Sequence, residues 1–458
     1  MNDGQVTFPA LRDALEAWTR EALPLLAKTR PFVSERYCWV ESGLNSRTRI
    51  YSPTLDWLLL DVAKQGATWE RVTASISSET RISSQINRLV GADAMSSSRV
   101  DQDSIGRFMV QPFRPVQFGD DCVYPDFDTD VFDKRYARLE SFILTKTLDY
   151  EATILLVGVD FGFEEIELTP DTRIVRLSDD ECWDYGSIGL LRGLAPHFDD
   201  YVSPGSPRHA LRIRHNMPKR LDGHNEDTWL EASTAWQSRL SNARERLATA
   251  VSLIKPTTFR FGGTATKCLT FGLPNTVFPS SYELFHSTVN FSPGEVGDLK
   301  MFWQKVDPLP NLHSSLTTAL RRLRYASERQ RAEDKIIDSM IAAEAILLAD
   351  KDQSELQYRF SLRGSWYLSE EIGSVRRMEF DFLKTAYNAR SIIAHGGTPK
   401  SKDLKIAGSM VTLDEFAQHL ESRTRLILRR ALLRKTGRDV LPRDWDDDLV
   451  GRRETPTN

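Results

Sequence analysis

Residues 387–399 read YNARSIIAHGGTP. The spacing is helical up to the two glycines, and Gly396-Gly397 is where such a helix stops. Two residues do not fit a plain amphipathic helix. On a wheel of about 100° per residue with Arg390 at zero, Phe382, Ala386, Ala389 and Ile393 fall at about 260–320°. Leu383, Ala394 and Tyr387 fall at about 20–60°, so Arg390 lies inside a broad apolar face. The next sector, about 100–180°, holds Ser391, Lys384, His395, Asn388 and Asp381. His395 is therefore on the polar side, in the last turn.

An arginine among apolar neighbours needs a partner, because an unpaired buried charge is costly. Glu344 offers one, in the run MIAAEAILLA (340–349), which is otherwise uncharged. A Glu344–Arg390 pair would fix how two helices dock. Arg359 and Arg363 compete for the same carboxylate, and spacing does not choose among them. His395 also has a plain reading. A cation in the last helical turn interacts well with the end of the helix dipole, and Gly396 supplies the left-handed cap.

A functional reading joins Arg390 and His395. They are offset by about 140° around the helix and about 7.5 Å along it. A long arginine can curl toward the polar sector, and a symmetry-related helix can set a second pair opposite the first. Such a cleft suits phosphodiester chemistry on RNA. A histidine can take a proton from a 2′-hydroxyl or give one to the leaving 5′-oxygen. A guanidinium can grip the phosphate in two places and offset the charge that grows in the transition state. The reading calls for no metal and no cofactor, and this part of the chain has no clustered carboxylate or Cys/His ligand set.

Around this helix the chain from about 311 is helical. Segments 312–330, 335–349, 356–371, 379–395 and 412–435 predict five helices with short links, the pattern of an α-bundle. Over 311–439 there are 23 Lys and Arg against 17 Asp and Glu, so this module is basic while the rest is acidic. The last helix carries Arg423, Arg425, Arg429, Arg430, Arg434 and Lys435, which predict electrostatic contact with RNA. The stretch 441–458 reads as a polar, loose tail.

Upstream, residues 138–295 read as α+β. ATILLVGVDFGFEEIELTPDTRIVRLSDDE (152–181) predicts strand, turn, strand, turn, strand. RHALRIRHNMPKR (208–220) predicts a strand with Leu211 and Ile213 inward. Arg212 and Arg214 then form a basic edge that can touch a phosphate backbone. Residues 227–254 predict a long helix ended by Pro256, and FRFGGTATKCLTFGL (259–273) a hairpin. Residues 1–137 are mixed, with helices predicted over 11–28 and 54–65 and an ambiguous Ser-rich segment over 72–90. Asp126, Asp128 and Asp130 alternate like calcium-loop ligands, but Val131 and Ala137 stand where that loop needs Gly and Glu, so a surface loop is expected.

The totals constrain without deciding. At 458 residues the chain predicts two or three domains, and a formal net charge of -4 names no partner. The start, MNDGQVTFPA, lacks the features of a secretory signal, and no apolar run is long enough to span a bilayer. The four cysteines, Cys38, Cys122, Cys182 and Cys268, form no CxxC pair and are expected as free thiols in a reducing cytoplasm.

The segment 311–436 resembles the HEPN domain, specifically the ApeA-like group of bacterial defence proteins. The family's ribonuclease motif is Arg, four to six residues, then His, late in a helix. Arg390-Ser-Ile-Ile-Ala-His395 fits it, with Tyr387 before and Gly396 after. DKIIDSMIAAEAILL (334–348) resembles the first core helix, with Glu344 at its acidic position. YRFSLRGSWYL (358–368) resembles the next, with Arg359 and Arg363. Many active HEPN nucleases carry Asn, Asp or His after the arginine, and this chain carries Ser391.

The resemblance implies a cytoplasmic, metal-independent endoribonuclease of anti-phage, abortive-infection type. A homodimer would form one composite site. His395 would be the acid and base, Arg390 would hold the phosphate, and Ser391 and Asn388 would orient them. The products would be a 2′,3′-cyclic phosphate and a 5′-hydroxyl, from RNA with tRNA as one candidate. The first 290 residues would sense a phage-derived trigger or restrain the nuclease. The expected architecture is α+β multidomain. It comprises a mixed region (1–137), a strand-rich module (138–295), an all-α HEPN domain (296–440) and the tail. The alternative is a HEPN module that binds RNA or nucleotides, or only dimerises, without cutting.

Overall fold

The computed structural model describes residues 6–27, 32–38, 48–54, 61–86, 101–113, 116–118, 121–178, 181, 208–221, 225–256, 259–269, 276–278, 289–306, 314–350, 354–372, 375–433 and 445. They form a mixed α/β protein of two compact units. One comprises Met1–Leu240 with Arg260–Thr288, and the other Ser241–Phe259 with Val289–Asn458.

In the first unit, helix α1 (Pro9–Leu26) opens on a proline, whose missing N–H costs nothing in the first turn. Leu11, Leu15, Trp18 and Ala22 recur at helical spacing and are buried. The Trp18 ring lies 4.7 Å from Trp69, on α2 (Ala67–Ser78). Helix α3 (Gln102–Val110) passes close enough that a Cβ at Gly106 would sit 3.0 Å from both tryptophans. Helix α4 (Thr129–Leu144) begins in the acidic stretch, where Asp128 caps it by accepting a hydrogen bond from Val131 N–H at 3.1 Å. Thus Asp128 has a helix-starting role. Of the helix expected over 54–65, Thr54 ends a strand, residues 55–60 lie outside the described residues and 61–63 are helical, and the Ser-rich segment holds α2 and a short helix, Thr80–Ser83.

Hairpins β1 (Phe32–Cys38) with β2 (Thr48–Thr54), and β3 (Val116–Phe118) with β4 (Asp121–Val123), are both antiparallel. The main sheet holds β5 (Thr147–Val157), β7 (Glu165–Thr169), β8 (Thr172–Arg176), β9 (His209–Pro218), β10 (Arg260–Cys268) and β11 (Thr276–Phe278). A two-residue strand, β6 (Val159–Asp160), follows β5. The sheet order is β11-β10-β5-β9-β8-β7, antiparallel throughout. The strands expected over 152–181 are present as β5, β7 and β8.

Two expectations are corrected here. The stretch 259–273 is not a hairpin at its glycines. Residues 260–268 are one strand between β5 and β11, and Gly262-Gly263 mark a register shift between Phe261 and Thr264. Glycine accommodates such a bulge, and two flanking strands keep the chain extended. Likewise, β9 is an interior strand and not a basic edge. Leu211 and Ile213 are buried as expected, but Arg212 and Arg214 face acids. Glu151 on β5 lies 3.0 Å from Arg214, 3.3 Å from Arg173 and 3.9 Å from Arg212, and Glu181 also pairs with Arg212.

At the end of β9, Lys219 is 3 % exposed and donates to Gln85 Oε1 at 2.9 Å and to the Ile143 carbonyl at 3.1 Å. Burial pulls its pKa from 10.5 down to about 8. Between those values the unfolded chain holds more protons than the folded one, so stability rises with pH across that window. Urea unfolding followed from pH 8 to 10 is expected to show this gain, on the order of 2 kcal/mol. Lys219→Met should flatten it relative to wild type.

In the second unit, the C-terminal half of α5 (Glu226–Ile254) is followed by a short strand β12 (Val289–Asn290) and α6 (Pro293–Val306). The five expected helices follow. They are α7 (Ser314–Glu328), α8 (Ala332–Leu347), α9 (Leu356–Ile372), α10 (Arg376–Ala394) and α11 (Leu413–Leu433). Between the last two lies a small hairpin, β13 (Lys405–Ile406) with β14 (Ser409–Met410), that sequence reading did not anticipate. Helix α8 packs against α7, α10 and α11, and α9 packs against α10. Ile336, Met340, Phe360, Phe382, Leu383, Phe416 and Leu428 form much of the core between them.

Gly364 marks a close approach: a Cβ there would collide with Leu383 Cδ1 and meet Leu347 Cδ1 at 3.2 Å. Gly364→Val is expected to lower the unfolding free energy by about 2–3 kcal/mol through overpacking, read from the urea midpoint. Trp445 departs from the expected loose tail. It is 5 % exposed, with its ring 5.7 Å from Tyr367 and the Arg363 guanidinium over it at 4.8 Å.

Candidate active site

Helix α10 presents Phe382, Leu383, Ala386 and Ala389 to the core, as the wheel predicts. Its end is a Schellman motif. Gly397 N–H donates to the Ile392 carbonyl at 2.9 Å, and Gly396 N–H to the Ile393 carbonyl at 2.9 Å. Gly396 has φ +78°, the left-handed conformation that glycine adopts without penalty. This closure leaves His395 at the C-cap, exposed to solvent, with Ser391 one turn before it.

Arg390 is half-buried beside Glu344 of α8, Nη2 to Oε2 3.7 Å. That distance makes an ion pair but not a hydrogen bond. Among the described residues Arg390 Nε and Glu344 Oε1 are buried with no hydrogen-bond partner. Burial pushes the Glu344 carboxyl above its usual range, and the Arg390 charge draws it partly back. The rival partners are settled by a residue the sequence reading did not single out. Asp350 pairs with Arg359 and, at 2.7 Å, with Arg363. Arg363 also donates to the Leu347 carbonyl at 2.7 Å. The two arginines hold the Asp350 carboxyl below its usual range against the opposing effect of burial. Asp350 follows the apolar run of α8, so its signal was an acid three residues beyond a helix, easily taken for a surface charge.

The neighbouring polar side chains are also placed. Asn388 Oδ1 accepts from Gln357 Nε2 at 2.6 Å, tying α10 to α9. The Tyr387 ring lies 5.9 Å from Phe360. An open hollow of about 840 Å³ lies beside Tyr387, Tyr358 and Gln357. A second groove of about 590 Å³ is lined by Asn388, Ser391, Lys402 and Lys405 among others. No family model, curated protein or solved structure matches the chain.

The arginines of α11 are committed to protein partners. Arg423 donates to Glu379 at 2.7 Å. Arg425 is buried and donates to Glu421 at 2.5 Å and to the Ser252 carbonyl at 2.6 Å. Arg429 reaches Asp298 at 2.8 Å, and Arg430 the Tyr367 carbonyl at 2.6 Å. Glu421, 2 % exposed, also binds Lys335 at 2.9 Å and Ser327 at 2.7 Å. A run of basic residues on a helix therefore reads here as internal pairing, with Glu379 and Asp298 supplied by distant segments and Glu421 by the same helix. Arg434 and Lys435 lie outside the described residues. Among the described residues no three His, Cys, Asp or Glu side chains cluster as a metal site, and no helix is long and apolar enough to cross a membrane.

Proposed function

We propose that the protein is a HEPN-type endoribonuclease of bacterial anti-phage defence, acting as a homodimer with Arg390 and His395 of each copy in one cleft. The observation that carries this reading is the contrast between Arg390 and the arginines around it. Arg363, Arg423 and Arg425 are hydrogen-bonded to carboxylates within the fold. Among the described residues Arg390 has only the 3.7 Å ion pair with Glu344 and no hydrogen bond; Arg322 and Arg429 share its unpartnered Nε but are hydrogen-bonded to Asp338 and Asp298 through their other nitrogens. Arg390 retains donors for an anion, and it sits five residues before an exposed histidine on the same helix.

In this account Arg390 binds a phosphodiester through two N–H donors, with Glu344 limiting where the guanidinium can swing. One copy's His395 takes the proton from a 2′-hydroxyl as its oxygen attacks the adjacent phosphorus. The other copy's His395 protonates the departing 5′-oxygen. The P–O5′ bond breaks as the P–O2′ bond forms, which gives a 2′,3′-cyclic phosphate and a 5′-hydroxyl. Arg390 offsets the charge that develops on the non-bridging oxygens. Ser391, a turn from His395, helps orient the phosphate.

The test is protection of cells under phage challenge by wild type, Arg390→Ala and His395→Ala at equal protein levels, with total RNA compared in parallel. The proposal expects protection and RNA fragments to disappear together in both variants. Protection by His395→Ala equal to wild type would remove the catalytic claim.

A further inference from the structure

We infer that the groove between the C-terminal half of α10 and the β13–β14 hairpin binds the RNA strand beside the scissile phosphate, with Lys402 and Lys405 as its phosphate contacts. The inference takes its substrate class from the nuclease reading. The groove, about 590 Å³, is of a size that holds a small organic ligand. One wall is the α10 stripe of Thr385, Asn388 and Ser391. Ser391 is one turn, about 6 Å, from His395 along the helix axis. That wall therefore runs along the helix in the direction of the histidine.

The opposite wall is firmly built. Leu404 is 1 % exposed, and its carbonyl accepts from Val411 N–H at 3.1 Å, which closes the hairpin base. Ala407 and Gly408 both have positive φ, 51° and 87°, as a tight two-residue turn requires. The hairpin thus sets Lys405, and the short helical turn Ser401–Asp403 sets Lys402, at the groove. Both lysines are exposed, and neither forms an ion pair with a described residue. This is the reverse of the α11 arginines.

The lining chemistry suits a nucleotide. Lys402 and Lys405 set two ammonium groups against the single carboxylate of Asp403 in the same lining, a net positive charge for phosphate, and the Asn388 N–H groups with the Ser391 hydroxyl offer hydrogen bonds to a base or ribose. Ile392, 38 % exposed, supplies apolar surface for a base face, and buried Leu404 fixes the wall behind it. An apolar peptide would leave these polar groups unmatched.

The test uses the full chain and a fluorescent 2′-O-methyl oligoribonucleotide, which binds but lacks the attacking hydroxyl. Binding is therefore read whether or not the protein cuts RNA. Lys402→Ala/Lys405→Ala is expected to weaken binding by about tenfold and to flatten the salt dependence of log K by about 0.7 per lysine. Lys402→Arg/Lys405→Arg should bind as wild type does. Equal affinity and salt slope for the alanine variant and wild type would overturn the inference, as would absence of binding by wild type. If wild type binds the probe through these lysines but cuts no RNA, the groove stands and the nuclease reading falls. If RNA is cut and the lysines are irrelevant to binding, the groove alone falls.

Discussion

His395→Ala is expected to lower RNA cleavage by about 10²–10⁴-fold, the usual contribution of a positioned acid or base. The fold should barely change. The side chain is exposed at a C-cap, where the left-handed turn is made by Gly396 and the closing hydrogen bonds by backbone groups. Loss of a cation near the helix end costs about 0.3–1 kcal/mol at most. The measurement pairs cleavage of a defined RNA with thermal unfolding. A merely capping histidine predicts the opposite pattern, with a small loss of stability and unchanged cleavage.

Arg390→Ala is expected to lower cleavage by about 10²–10³-fold, comparable to removal of a donor to developing charge. It should also cost stability, about 1 kcal/mol, because half-buried Glu344 loses the cation it pairs with. The double variant Arg390→Ala/Glu344→Ala separates the two effects. Stability should recover toward wild type once the orphaned carboxylate is gone, while cleavage stays lost. Recovery of both would make Arg390 a docking residue whose charge serves only the α8–α10 contact. Arg390→Lys keeps the charge but not the two-pronged donor geometry and should remain far below wild type.

Much of the helical unit was legible because its signals are local. Apolar periodicity placed α7 to α11 within a few residues, and the Gly-Gly pair placed the end of α10. Even a long-range pair, Glu344 with Arg390, was legible as one of few options, since each is a lone charge in an apolar stretch. What the sequence did not display were partners distant along the chain. The arginines of α11 read as a basic face, and their pairing with Glu379, Asp298 and the Ser252 carbonyl, far from them in the chain, had no local signal. Arg212 and Arg214 looked like an edge because nothing local says that β8 will cover the other side of β9. Asp350, Lys402 and Lys405 went unmarked because short polar segments carry no periodicity. The second unit's groove exists only once Lys402 and Lys405 are folded back against α10.

The most direct measurement is end analysis of RNA incubated with the purified full chain in the presence of a chelator. The account predicts fragments ending in 2′,3′-cyclic phosphate and beginning with 5′-hydroxyl from wild type, and intact RNA with His395→Ala and Arg390→Ala. Intact RNA with wild type, or fragments from His395→Ala at the wild-type rate, would contradict it.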